Sequence, residues 1–251
     1  MSPKSQLVVF DFDWSYVDQD TDRYVLEYHY TPLRRELETL SKTKSMQYTD
    51  AVAHTVKRLQ NEQGITKAQI EEALRDLPVH PAMKRATLGL KAASEPKSSF
   101  FLLSNSNQVY IDTILKHHRL TELFDRITTN PSKWDENDKL IINRRISPDA
   151  TQHGCQVGCS PNMCKGEELD AYIKENGPFD RVIYVGDGGN DFCPILRLRP
   201  QDLALVRTHK ELEERIAKEG ASAGLKCQVK YWGMGWEIEE YFGPGGIGRE
   251  F

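Results

Sequence analysis

Two aspartates stand directly behind a short apolar run, in Asp11-Phe12-Asp13-Trp14-Ser15. In an extended segment residues i and i+2 point the same way, so both carboxylates can face one pocket. Carboxylates at a buried strand end are costly unless something pairs with them. A hard divalent cation would offset that cost, and Mg²⁺ suits a few carboxylates plus a phosphate. A second acidic pair, Asp187 and Asp191, lies in Val185-Gly186-Asp187-Gly188-Gly189-Asn190-Asp191, where glycines let backbone approach a ligand closely. Together the two pairs could form one metal site built from oxygen ligands. Taken singly, each also fits a turn, and the second also fits a calcium-binding loop, a reading that the absence of EF-hand spacing weakens.

Two further polar residues have suitable settings. Ser104 follows Ser99-Phe100-Phe101-Leu102-Leu103, where a hydroxyl and free backbone N–H groups can hold phosphate oxygens. By itself Ser104-Asn105 equally fits a helix cap. Lys165 opens a helical pattern after Asn162-Met163-Cys164, and a lysine there can neutralise developing phosphoryl charge.

The elements that must position these residues are legible as a pattern. Gln6–Phe10, Ser99–Leu103 and Arg181–Val185 are short apolar runs that stop abruptly at polar clusters, the pattern of buried parallel strands. Asp202–Val206 and Cys227–Trp232 are weaker copies. Tyr110–His118, Gly166–Lys174 and Lys210–Lys218 carry apolar residues at helical spacing. Alternating strands and helices predict an α/β fold, a Rossmann-like and mostly parallel sheet with helices on both faces. Ligands bind such sheets at the carboxyl ends of the strands, where all three polar clusters fall.

The stretch from Tyr16 to Leu90 differs. It lacks a convincing buried strand, and Asp50–Leu59, Thr66–Asp76 and Pro81–Ala93 read as helices punctuated by Pro32, Gly64, Pro78 and Pro81. The expected organisation is an α/β core over 1–15 and 91–242, an inserted helical cap over 16–90, and a flexible tail over 243–251. Pro131–Cys164 is polar and irregular, with room for a small hairpin, and Tyr231-Trp232-Gly233-Met234-Gly235-Trp236 is expected to serve core and helix packing.

Composition narrows the partners. Apolar residues at 39% and charged residues at 28% match a soluble globular chain. A net charge of −4 with well-mixed signs offers no basic face, so nucleic acid is not expected. No apolar run reaches the length of a membrane span, and Leu7-Val8-Val9-Phe10 is too short for a signal-peptide core, which predicts a cytoplasmic protein. Nothing in the pattern sets an oligomeric state. The five cysteines are an odd number, so a disulfide framework is not expected. His153, Cys155, Cys159 and Cys164 invite a structural zinc site, but they lack the paired Cys-x-x-Cys spacing of a firm one, and loop packing or a redox-sensitive cluster is the expectation ahead of it.

Aspartates, hydroxyl, lysine and aspartates, in that order, resemble the haloacid dehalogenase superfamily of phosphatases. Its motifs match Asp11-Phe12-Asp13-Trp14-Ser15, Ser104, Lys165 and Gly186-Asp187-Gly188-Gly189-Asn190-Asp191, covering the chain to about Phe242. A narrower resemblance is to the phosphoethanolamine/phosphocholine and pyridoxal-phosphate phosphatases. It rests on Val8 to Asp13, His153 to Cys159, Asn162-Met163-Cys164-Lys165 and Tyr184 to Pro194. The resemblance implies a phosphomonoesterase acting on a small-molecule phosphate ester. Asp11 would be the nucleophile and Asp13 the acid/base. Asp11, Asp13 (through its carbonyl), Asp187 and Asp191 would hold or support Mg²⁺, and Ser104 and Lys165 would hold the phosphoryl group. It also implies that Asp22 meets an amine-bearing leaving group.

Two departures touch the substrate. The bulky Trp14 replaces a small or polar residue; it is expected to pack against the cap, or else to stack on a ring or cationic head group. Asn105 stands where amine-selective members carry aspartate, which predicts poor preference for choline-type head groups. The other readings are a phosphatase for thiamine or sugar phosphates, a phosphomutase, a dehalogenase, or a non-catalytic binding module. A dehalogenase would not need Asp13 or the metal pair, and a binding module would be expected to have lost site residues.

Overall fold

The computed structural model describes residues 3–243 and Gly246. Six parallel strands form the main sheet: β1 (Ser5–Phe10), β2 (Lys97–Asn107), β3 (Arg126–Asn130), β6 (Arg181–Gly186), β7 (Leu203–Arg207) and β8 (Gln228–Trp232). A two-stranded antiparallel hairpin, β4 (Ser132–Trp134) and β5 (Leu140–Ile142), lies apart from it. The helices are α1 (Thr21–His29), α2 (Thr31–Thr43), α3 (Tyr48–Glu62), α4 (Lys67–Asp76), α5 (Pro81–Ala92), α6 (Gln108–His117), α7 (Lys165–Asn176), α8 (Phe192–Ile195), α9 (Glu211–Glu219) and α10 (Gly235–Phe242).

The strand order is β3-β2-β1-β6-β7-β8. The chain moves outward from β1 to β3, then returns to the other side of β1 with β6. The switch point therefore lies between β1 and β6, where open α/β sheets bind ligands. Phe10 pairs with Val185 on one side and Leu102 on the other, so Asp11 and the Gly186-Asp187 turn emerge at one level.

Strand side chains alternate between two cores, as the pleat requires. Val8, Phe10, Phe100, Leu102, Ile183 and Val185 join the larger core with α1 to α6 and α10. Leu7, Val9, Phe101, Leu103, Val182 and Tyr184 join the smaller one with α7 to α9. Each fully buried Val, Leu or Phe contributes about 1.5–3 kcal/mol of transfer free energy, so both faces of β1 add to the stability of the sheet.

Several expectations need amendment. The β2 strand runs past Leu103 to Asn107, so Ser104 sits inside a strand, not at a helix start; Asn107 caps α6 by accepting the Tyr110 N–H. The stretch 16–90 also contains α1 and α2, whose Tyr- and Arg-rich sequences obscure their short apolar stripes, Val25-Leu26 and Leu33/Leu37. Its last helix, α5, packs against α10 and β2. β3 was not anticipated, because Arg126-Ile127-Thr128-Thr129-Asn130 has a single aliphatic residue. Of the C-terminal aromatic group only Trp232 is core; Tyr231, Met234 and Trp236 are 42%, 50% and 50% exposed. Apart from Gly243 and Gly246, the expected loose tail lies outside the described residues. No helix among the described residues is long and apolar enough to cross a membrane.

Candidate active site

The turn after β1 is built to present Asp11. Its backbone N–H donates to the carbonyl of Val185 (2.9 Å), and Oδ1 accepts the N–H of Phe12 (2.7 Å). The chain then closes a compact loop in which Val17 N–H reaches the carbonyl of Phe12 (3.0 Å). Trp14 takes a left-handed conformation there (φ +54°), which a bulky residue adopts only when its surroundings hold it. Arg207, at the end of β7, supplies that hold by donating to the carbonyl of Trp14 and to Asp18 Oδ1, both at 2.8 Å. The ring partners of Trp14 likewise come from the sheet side. Lys210 Nζ lies 3.4 Å from the ring centroid and the Arg207 guanidinium 5.5 Å.

Lys165, at the start of α7, is fully buried. Its ammonium bridges Asp11 Oδ1 (2.9 Å) and Asp191 Oδ1 (2.7 Å). Burial works against that charge, but Asp11 and Asp191 outweigh it and push the lysine pKa up. Asp191 is committed on both oxygens: Oδ1 also accepts from Tyr184 Oη (2.7 Å), and Oδ2 accepts the N–H groups of Asp187 (3.1 Å) and Gly188 (3.0 Å). Gly186 is required here, because a Cβ would lie 2.7 Å from the Asp191 carboxylate. Asp187 accepts from Ser15 Oγ (3.3 Å).

The carboxylates of Asp11, Asp187 and Asp191 lie within 4.8 Å of one another, a set of hard oxygen donors. Burial, followed by the repulsion of Asp191, raises Asp11 to about 7, with Lys165 opposing. Burial, then Asp11 and Asp191, raises Asp187 to about 8. The Asp13 carboxylate is not in this group. It turns toward Asp20 and Asp22, and its Oδ1 accepts the N–H of Thr21 (3.0 Å). Burial and the charges of Asp20, Asp22 and Asp11 push its pKa well up. Asp22 is raised by burial and by Asp20, and its Oδ1 is buried with no hydrogen-bond partner among the described residues.

The site opens on one cavity of about 540 Å³, within the range of small-molecule sites. Asp11, Asp13, Trp14, Asp22, Ser104, Asn105 and Asp187 all reach it. Ser104 is buried and accepts the N–H of Ser106 (3.1 Å); Asn105 Oδ1 accepts from Asn190 (2.8 Å). Lys165 and Asp191 lie behind its wall. Ser15 and Tyr184 fall inside the quoted motifs but were given no role, and Arg207 was not singled out. A hydroxyl inside the apolar run Arg181–Val185 was the available signal for Tyr184; none marked Arg207.

The family model described as Putative Phosphatase matches residues 6–244. The chain belongs to this family. Inorganic pyrophosphatase 2 of Arabidopsis thaliana is 31% identical over 237 residues, covering 93% of this chain and 81% of that protein. A thiamine phosphate phosphatase-like protein of the same plant is 31% identical over 231 residues, covering 90% and 89%. Pyridoxal phosphate phosphatase of Bos taurus is 28% identical over 241 residues, covering 94% and 96%. Among solved structures, a phospho-aspartyl intermediate analogue of phosphoserine phosphatase superposes with a TM-score of 0.56 at 15% identity, covering 86% of this chain and 99% of that one. That likeness shows the haloacid dehalogenase fold. The family match and the sequence relatives make the protein a hydrolase of the phosphatase class.

Proposed function

We propose that the chain is a Mg²⁺-dependent phosphomonoesterase that works through a phosphorylated Asp11. The observation that carries this reading is the Lys165 ammonium held between Asp11 and Asp191 with Asp187 alongside. Two adjacent strand ends thereby concentrate anionic ligands for a cation beside a nucleophile. Asp11 spends Oδ1 on Lys165 and the Phe12 N–H, so Oδ2 is the attacking atom.

The donor set fits Mg²⁺, since its oxygens are hard and their mutual repulsion is what a divalent cation offsets. Asp11, Asp187 and the Asp13 carbonyl would hold it, while Asp191 would support the site through Lys165 and the Asp187 backbone. Bound there, Mg²⁺ would screen nucleophile and phosphate from each other.

Asp11 Oδ2 attacks phosphorus in line as the bond to the leaving oxygen breaks, and Asp13 gives that oxygen a proton. Asp13 then takes a proton from water, whose oxygen attacks phosphorus and frees Asp11 with release of phosphate. Ser104 holds the transferring group, and Lys165, reaching Asp11 Oδ1 from behind the cavity wall, offsets the charge carried there. Helices α1 to α4 would form the cap that excludes water and selects the leaving group, with the boundary before Pro81, since α5 packs with α10.

The substrate class follows from Asp22. A buried acceptor without a partner is costly, and a donor on the leaving group would satisfy it. This favours a leaving group with N–H or O–H donors, of the pyridoxal-phosphate or phosphoethanolamine type. Choline offers none, and Asn105 adds no charge for it. A second reading is pyrophosphate hydrolysis, which Arg23 and Lys210 on the cavity wall and the similarity to plant pyrophosphatases favour. Phosphate release from an aryl phosphate, with and without EDTA, tests the class; activity surviving both EDTA and Asp11→Asn overturns it. Comparing kcat/KM for pyridoxal 5′-phosphate, phosphoethanolamine, phosphocholine, thiamine monophosphate, a sugar phosphate and pyrophosphate tests the substrate. A phosphocholine preference would overturn the role given to Asp22. Net release of phosphate, rather than its return to substrate, separates a phosphatase from a phosphomutase.

A further inference from the structure

Beside the active site, with Cys159 on the cavity wall, four cysteines converge that the catalytic reading does not use. Cys155 and Cys159 come from the irregular loop before α7, Cys164 caps α7, and Cys193 lies in α8. Their four Sγ atoms all lie within 4.8 Å of one another. Cys155 is 3.6 Å from Cys159 and 3.5 Å from Cys193, and Cys164 is 3.6 Å from Cys193. All four are free thiols, because these separations are far beyond a bonded S–S length of about 2.05 Å. They are instead close to the spacing of about 3.8 Å that four sulfurs adopt around a tetrahedral zinc with Zn–S bonds of about 2.3 Å.

We propose that Cys155, Cys159, Cys164 and Cys193 form a structural Zn²⁺ site. The irregular spacing in the sequence concealed it because the fourth ligand is Cys193, 29 residues beyond Cys164, and not His153. His153 instead bonds the carbonyl of Ser160 through Nε2 (2.8 Å). Four protein thiolates fill every position of a tetrahedral ion, so the site is closed and holds structure rather than substrate.

The surroundings are suited to thiolates. Val157 N–H donates to Cys155 Sγ (3.4 Å), and Arg197 Nη2 lies 3.9 Å from Cys193 Sγ. Such donors orient metal-bound thiolates and compensate their excess negative charge. Gly166 makes room for the cluster, since a Cβ there would lie 2.6 Å from Cys193 Sγ.

The site also answers a need of the fold. Between β5 and α7 the chain runs through residues 143–164 with no helix or strand, yet it must deliver Lys165 accurately. Loops of that length in a compact domain require a specific constraint. Cys164 immediately precedes Lys165, and Cys193 lies two residues after Asp191. One ion would therefore join the two segments whose side chains meet in the Lys165–Asp191 pair.

The test is metal analysis of the full-length protein from zinc-supplemented cells, purified without chelator. One zinc per chain is expected, released in one step when a mercurial thiol reagent is added and detected with a chromogenic chelator. Protein prepared with cobalt in place of zinc should show thiolate charge-transfer absorption and the intense visible bands of tetrahedral cobalt. Cys155→Ser and Cys193→Ser should each lose the metal, whereas Cys227→Ser should keep it. Wild-type protein without stoichiometric zinc, or with these thiols at once reactive toward a disulfide reagent, overturns the proposal. So does a disulfide within the cluster by mass spectrometry. These readouts need no phosphatase activity, so they stand apart from the outcome for Asp11.

Discussion

Lys165 Nζ lies 2.7 Å from Asp191 Oδ1 with both side chains fully buried, 26 residues apart in the chain. Removing one partner of such a pair leaves an uncompensated charge, which costs about 3–5 kcal/mol. Lys165→Met should therefore lower stability by that order in urea unfolding, as well as abolish turnover. A change below about 1 kcal/mol would mean that the charges are not buried together.

Asp11→Asn should reduce kcat by at least about 10³-fold, because a missing nucleophile cannot be replaced by neighbours. Acid-quenched wild-type enzyme should carry phosphate on the peptide containing Asp11. The variant should carry none.

Metal dependence should be linked to pH. The folded pKa values of Asp11 and Asp187 are raised to about 7 and about 8 from 3.8, by burial, by the charge of Asp191 and, for Asp187, also by that of Asp11. A raised carboxyl pKa stabilises the fold below the unfolded value, and that stability is lost as pH rises through the folded value. Without Mg²⁺ the unfolding midpoint should fall between about pH 4 and 8 on account of these groups. Saturating Mg²⁺ should remove that fall, and half-maximal activation should need more Mg²⁺ at pH 6 than at pH 8, because protons compete for the same oxygens. Equal Mg²⁺ requirements at both pH values would contradict this.

Arg207 holds the strained Trp14 by hydrogen bonds to its carbonyl and to Asp18. Arg207→Lys keeps the charge but not the two-pronged grip. A loss of about 1–3 kcal/mol is expected in thermal unfolding, with a fall in kcat as the Asp11 turn loosens.

Asp22→Ala should raise KM for pyridoxal 5′-phosphate and phosphoethanolamine more than for an aryl phosphate that presents no donor. An equal effect on all three would deny Asp22 a part in leaving-group selection.

The strands β1, β2 and β6 could be recognised in the sequence because buried parallel strands read as continuous apolar runs that end at polar clusters. The order of Asp11, Ser104, Lys165 and Asp187 could be read as well, because Asp11 and Asp187 lie just past such runs, Ser104 follows the apolar part of β2, and Lys165 opens a helix. What the linear chain could not display is which side chains meet. Asp13 meets Asp20 and Asp22 because the loop folds back on itself, with the Trp14 N–H on the carbonyl of Gln19. Arg207 reaches Trp14 across 193 positions, and Cys193 reaches Cys155 across 38. Local periodicity records burial, which each residue type expresses by itself. Convergence depends on sheet register and loop path, and those are decided only when distant segments pack together.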